Sequence, residues 1–177
     1  MNFTLEELKE TIELFSVNQC SFLTENCIVA LEASKHQTGC KLEIIGDQID
    51  NAQLNWKTVV NKAGYKEPKK YVEHGATAIA FFLARSYTDF NVLEEAIIGT
   101  GFDYWLGYDS KHSKYNPLNF MAARLEISGI LKETIHNSIN ERVKIKKAQT
   151  NSSNSLKLPA YVSVVEFSKP KAYFAKK

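Results

Sequence analysis

The segment Ala160–Phe167, Ala-Tyr-Val-Ser-Val-Val-Glu-Phe, constrains the fold more than any other part of the chain. Its valine-rich apolar run reads as a strand buried inside a sheet. A polar loop, Asn151-Ser152-Ser153-Asn154-Ser155, precedes it, and Pro170 ends it. A buried strand that follows a helix returns parallel to a neighbour through a crossover. The elements ahead of it supply both the helix and the neighbour.

Pro68 suits a first helical turn, and Val72, Ala76, Ile79, Ala80 and Leu83 then mark one apolar face, so a helix is predicted over 68–87. Short strands are predicted at 92–98, 102–108 and 121–128, with a polar loop at Lys111–Asn119. A second helix is predicted over 131–150, where Leu131, Ile135, Ile139 and Val143 recur at intervals of four. The order from residue 68 is therefore helix, three strands, helix, strand: an antiparallel meander and then a crossover. The fold class is α/β, a single mixed sheet flanked by helices.

The first third is read as an extension. Met1–Gln19 has an acidic amphipathic helix pattern, with Thr4 and Glu7 as a capping box and Phe3 and Leu8 as a staple. Cys27–Ala33 and Cys40–Ile45 read as two strands joined by a hairpin loop at 35–39. Residues 47–65 show no clear pattern. The chain is taken as one domain, with 1–66 as a helix-and-hairpin extension on a core at 67–177.

At 177 residues and 44% hydrophobic content, the chain can bury a core, and wholesale disorder is excluded. A formal charge of +2 does not by itself imply nucleic-acid binding. Basic residues do cluster at Lys66–Lys70, at Arg142–Lys147 and in a tail from Lys169 to Lys177. These clusters fit a local positive face, or simply solvated helix faces and a tail. Cys20, Cys27 and Cys40 are an odd set without zinc spacing, and the four histidines are scattered. With no signal-peptide pattern and no apolar run near the ~20 residues of a membrane span, a cytoplasmic protein with free thiols is expected.

Three carboxylates stand at chemically useful points. Glu73 lies in the helix at 68–87, Asp103 opens a short aromatic strand behind Gly99 and Gly101, and Glu126 sits within the next strand. Strand alternation puts Arg124, Glu126 and Ser128 on one face and Leu125 and Ile127 on the other. If the two strands pair, Glu126 faces Asp103. The Ile127 carbonyl would complete the protein ligands of a hard divalent cation, and Glu73 would approach directly or through water. Such a cation activates water and stabilises charge on a phosphate. A lysine two residues after the second acid normally assists, and Ser128 stands there instead. Lys146 and Arg142, on a stripe that starts apolar and turns basic, are candidates for the displaced cation, with Gln149 as a phosphate contact.

On Glu73, Gly101-Phe102-Asp103, Leu125-Glu126-Ile127-Ser128-Gly129 and Arg142 through Gln149, the sequence resembles the PD-(D/E)XK nuclease superfamily over about residues 68–168. The resemblance implies a restriction-endonuclease-like core and Mg²⁺- or Mn²⁺-dependent phosphodiester cleavage, often in restriction, repair or mobile-element defence. It implies metal ligation by Asp103, Glu126 and Glu73, catalytic roles for these with Ser128 and Lys146, and substrate binding by Arg142 and Gln149. The implied partner is DNA, with room for a protein partner in a multi-component defence system or a homodimer. Ser128 departs from the family pattern. It favours a competing reading: an inactive nuclease fold kept as an interaction or regulatory subunit. A third reading is an unrelated α/β binding module whose carboxylates are ordinary surface groups.

Other residues carry further readings. Trp56, Trp105 and Tyr104 fit base stacking or core. His74 fits a proton shuttle or a helix surface. Glu32 and Glu43 read as solvated, Cys40 as a small buried residue, and Glu166 as a partner of Arg124 or Lys146 or a member of the acidic site.

Overall fold

The computed structural model describes residues 1–177. In chain order the elements are β1 (Asn2–Thr4), α1 (Leu8–Thr11), α2 (Val17–Ala33), β2 (Cys40–Gly46), β3 (Asp50–Asn55), α3 (Pro68–Tyr87), β4 (Phe90–Glu95), β5 (Tyr104–Tyr108), β6 (Met121–Ile130), α4 (Ile139–Gln149), β7 (Ala160–Glu166) and β8 (Lys171–Lys176). Short 3₁₀ turns lie at Leu5–Glu7, Lys62–Gly64 and Thr150–Leu156. All eight strands join one mixed sheet in the order β1-β3-β2-β8-β7-β6-β5-β4.

The expected second half is present. Helix α3 begins at Pro68, with the Glu67 side chain capping Lys69 N, and ends at Tyr87. Strands β4, β5 and β6 form the antiparallel meander, and α4 crosses over to place β7 parallel to β6. The alternation of β6 decides which layer each side chain meets. Leu125 and Ile127 join the large core under α2 and α3. Ile130 faces the other way and packs with Ile139, Val143, Val162 and Val164 under α4. Helices therefore cover both faces of the sheet and bury β6 and β7 from both sides, although the α4 face of β6 carries the buried polar groups Arg124, Glu126 and Ser128.

The first third differs from its expected form. Cys27–Ala33 is not a strand but the last part of the 17-residue helix α2. Residues Cys27 to Leu31 are all buried, because α2 packs along α3 and is flanked by α1 and the turn at Leu5–Glu7. A helix buried all round loses the 3.6-residue alternation and looks like a core strand. Strand β2 pairs instead with β3, in the stretch that showed no pattern. The predicted helix at 1–19 is broken up. Asn2–Thr4 pairs parallel to β3, and Phe3 stacks on Phe82 with ring centroids 5.0 Å apart. The Thr4 side chain caps nothing; the working capping box is Ser16 with Gln19.

Two further corrections affect the site. The helix predicted over 131–150 begins only at Ile139. Residues 131–138 form a turn closed by a Thr134–Asn137 bridge, with Ile135 exposed. Ser138, whose hydroxyl accepts from Glu141 N at 3.3 Å, is the true N-cap, and the Glu133 carboxylate accepts from Ile139 N at 2.6 Å. The basic tail is also no tail. Lys171–Lys176 is β8, which runs between β2 and β7 in mid-sheet and buries Ala172, Phe174 and Ala175. Through the β2–β8 pairing the residues expected to form an extension are part of the same sheet. No helix is long and apolar enough to cross a membrane.

Candidate metal centre and adjoining cleft

Strand β6 outruns its neighbour β5. Pairing stops where Tyr104 meets Leu125, so beyond Leu125 that edge of β6 has no strand beside it. Asp103 takes up the first vacant position. Its backbone N–H donates to Leu125 O at 2.9 Å, and its carboxylate Oδ2 accepts from Ile127 N at 2.7 Å. In an extended strand the N–H and C=O of one residue point the same way, so the Ile127 carbonyl opens on the same side as Asp103. Gly99 and Gly101, with φ of +98° and +81°, turn the chain into this position. A Cβ on Gly101 would stand 2.6 Å from Gln149 O, so the turn also needs glycine to lie against α4.

Glu126, fully buried, projects from β6 beside Asp103 and toward α4. Its Oε1 accepts from Lys146 Nζ. Its Oε2 is buried with no donor in reach. Lys146 also donates to Gln149 Oε1 at 3.3 Å. Burial, and then the Asp103 charge, push the Glu126 carboxyl up to about 7 against the pull of Lys146. Asp103 is likewise raised, chiefly by burial, although Ile127 N and Lys146 oppose the shift. The two carboxyls are close enough for a proton on Glu126 to bridge to Asp103. Two acids that share one proton form a place where a cation can replace that proton.

The structure therefore brings Asp103, Glu126 and Lys146 together. Glu73 is less closely placed: it is exposed on α3, lines the neighbouring cleft and acts on Asp103 through its charge. No three His, Cys, Asp or Glu side chains form a group able to hold a metal ion by themselves. The pair still suits Mg²⁺ or Mn²⁺. Mg²⁺ is commonly held by one or two carboxylates, with water and substrate phosphate completing the shell, rather than by an all-protein cage. An unpartnered Glu126 oxygen, the Asp103 carboxylate and the free-edge carbonyl of Ile127 are hard oxygen donors of the right kind.

Arg142 lies one turn before Lys146 on α4, and its Nη2 donates to Asn137 Oδ1 at 2.6 Å. Ser128, two residues after Glu126, lines a cleft with Glu73, Arg142 and Lys146 rather than bonding the acids. Gln149 is exposed and reaches the centre only through Lys146.

Several residues stand apart from the centre. Glu166 accepts from Ser168 N at 2.9 Å and Lys169 N at 2.7 Å and so caps its own turn. Arg124 points its buried guanidinium at Thr150 O, Ser153 Oγ and Leu158 O, not at Glu166. Trp56 is core, and Trp105 packs edge-on against Phe102 with centroids 4.7 Å apart. His74 packs against Phe22 away from the acids, and Glu32 and Glu43 pair with Lys62 and Lys171. Burial raises the Cys40 thiol to about 11, which suits packing and not nucleophilic attack. Sequence reasoning missed Asn137, the residue that holds Arg142. Its place beside the N-cap signal Ser138-Ile139-Asn140-Glu141 was the available clue.

No protein-family model, curated protein or solved structure matches the chain.

Proposed function

We propose that this chain is a divalent-metal-dependent nuclease of the PD-(D/E)XK kind, acting on DNA, in which Lys146 replaces the lysine that Ser128 displaces from β6. One observation carries the reading. Asp103, Glu126 and Lys146 converge at the free edge of β6, although they come from three elements and lie up to 43 positions apart in sequence. The helix–meander–helix–strand order supports a restriction-endonuclease-like core.

A bound Mg²⁺ or Mn²⁺ would supply an activated water and charge neutralisation at the phosphate. Asp103 and Glu126 would hold it, with the Ile127 carbonyl. The Asp103 carboxylate is fixed by Ile127 N, so little reorganisation is needed on binding. Lys146 sets the orientation of Glu126 and places a positive charge beside the reacting phosphate, where preorganised charge is most effective. Gln149 steadies Lys146. Arg142 and Lys69 extend the positive surface along the strand path, and Glu73 tunes Asp103 through its field.

A second reading is favoured by the direct Lys146–Glu126 pair and by the lack of a three-acid group: a nuclease fold kept as a regulatory or protein-binding subunit, in a defence system or as a homodimer. Calorimetric titration with Mn²⁺ separates the two. Binding that is lost in Asp103→Asn, together with Mn²⁺-dependent nicking of plasmid DNA lost in the same variant, supports the nuclease. No heat and no cleavage would leave the interaction role.

A further inference from the structure

A second feature adjoins the acidic centre. A cleft of about 430 Å³ lies between the start of α3, the free edge of β6 and α4; Lys146 lines it, but Asp103 and Glu126 do not. That volume is in the range of small-ligand sites, ~300–1,000 Å³. Its chemistry is not that of a metal site. We propose that this cleft is a phosphate subsite, separate from the acidic centre, that seats a non-scissile phosphate of the substrate strand. The identity of the strand rests on the nuclease reading; the anion chemistry does not.

Four groups make the case. Ser128 lines the cleft, and although the residue is only 8% exposed its hydroxyl stays open to the cleft instead of bonding within the protein. An open hydroxyl of this kind can donate to an anion oxygen. Arg142 has no carboxylate partner; Asn137 holds one of its nitrogens at 2.6 Å, leaving the other N–H groups for a ligand. A guanidinium tethered at one nitrogen keeps donors for the two-pronged binding of phosphate oxygens. Lys69, also without an ion pair, lines the cleft from the first turn of α3 and offers its ammonium group; the backbone amides there are already taken by Glu67. Gly129 lies on the β6 edge that lacks a strand neighbour. A Cβ there would sit 2.3 Å from Val72 O, so only glycine lets α3 close this tightly on the strand. Glu73 is the one acid lining the cleft, against Lys69, Arg142 and Lys146. With Lys146 committed to Glu126, the free cations are Arg142 and Lys69. Ser128 is thus a phosphate ligand and not a stand-in for the missing lysine.

The test follows the backbone amides of Ser128 and Gly129 and the Arg142 Nε by ¹⁵N NMR, in chelator, as inorganic phosphate is added. These signals should move together. Arg142→Ala should weaken binding by about tenfold or more, as loss of a charge-assisted hydrogen bond implies, and Ser128→Ala by about fivefold. Arg142→Lys should recover only part. Asp103→Asn, which damages the acidic centre, should bind phosphate as wild type does. A short single-stranded DNA should then displace the phosphate. Shifts confined to Lys146 and Asp103, or unchanged affinity in Arg142→Ala, would overturn the subsite. Absence of phosphate from the cleft while Mn²⁺ still binds the acids removes the subsite alone. Phosphate bound but not displaced by DNA removes the strand assignment and the nuclease reading with it.

Discussion

Replacing Glu126 by glutamine should stabilise the metal-free protein at alkaline pH, although the change breaks what looks like a buried ion pair. In the native state the Glu126 carboxyl is raised from its ordinary 4.5 to about 7. The folded protein therefore holds this proton more tightly than the unfolded chain does. The stability it contributes is complete below pH 4.5 and is lost as pH rises through about 7. At ~1.4 kcal/mol per tenfold change in proton affinity, the loss is at most about 3 kcal/mol. Asp103 shifts in the same direction and adds to the slope. The amide introduced by Glu126→Gln would resemble the protonated acid and cannot ionise. The two proteins should match near pH 4.5, and the variant should lead by about 2–3 kcal/mol near pH 8. Urea unfolding in chelator at half-unit steps of pH measures this directly. If Lys146 instead keeps Glu126 ionised, the variant would strand a buried cation and lose about 3–5 kcal/mol at pH 8. That outcome, or a wild-type stability that is flat between pH 5 and 8, would refute the shared-proton account.

Three further outcomes are expected. Saturating Mn²⁺ at 100 times its Kd should stabilise the wild type by about 2.7 kcal/mol at pH 8, read as a rise in unfolding midpoint, and should leave Glu126→Gln unmoved. Lys146→Ala should lower Mn²⁺-supported cleavage by about 100-fold or more, as removal of preorganised charge does elsewhere, while Gln149→Ala costs far less; equal, small effects would argue against the displaced lysine. Gly129→Ala should destabilise the fold by about 1–3 kcal/mol in chemical denaturation, because its Cβ meets the Val72 backbone oxygen at 2.3 Å and backbone cannot swing aside as a side chain can.

Local signals determined much of this protein. The Pro68 start and the apolar stripe of α3 specify that helix almost to the residue, because N-terminal proline and 3.6-residue periodicity act within one element. The period of two in β6 placed Glu126 and Ser128 on the face opposite Leu125 and Ile127, which is the face that meets α4. Tertiary structure decided the rest. Helix α2 was illegible because burial on all sides removes the polar stripe that marks a helix. Strand β8 was hidden by its lysines, whose charged ends stay at the surface while Ala172 and Phe174 fill the sheet. The pairing of Lys146 with Glu126 spans 20 residues and depends on where α4 crosses β6, which no spacing rule encodes. The same holds for the cleft, which exists because β6 extends past β5 and Gly129 admits α3. Sequence named Asp103, Glu126 and Lys146 along with Glu73; only the packing of two helices against one overhanging strand brought the first three together and left Glu73 exposed on α3.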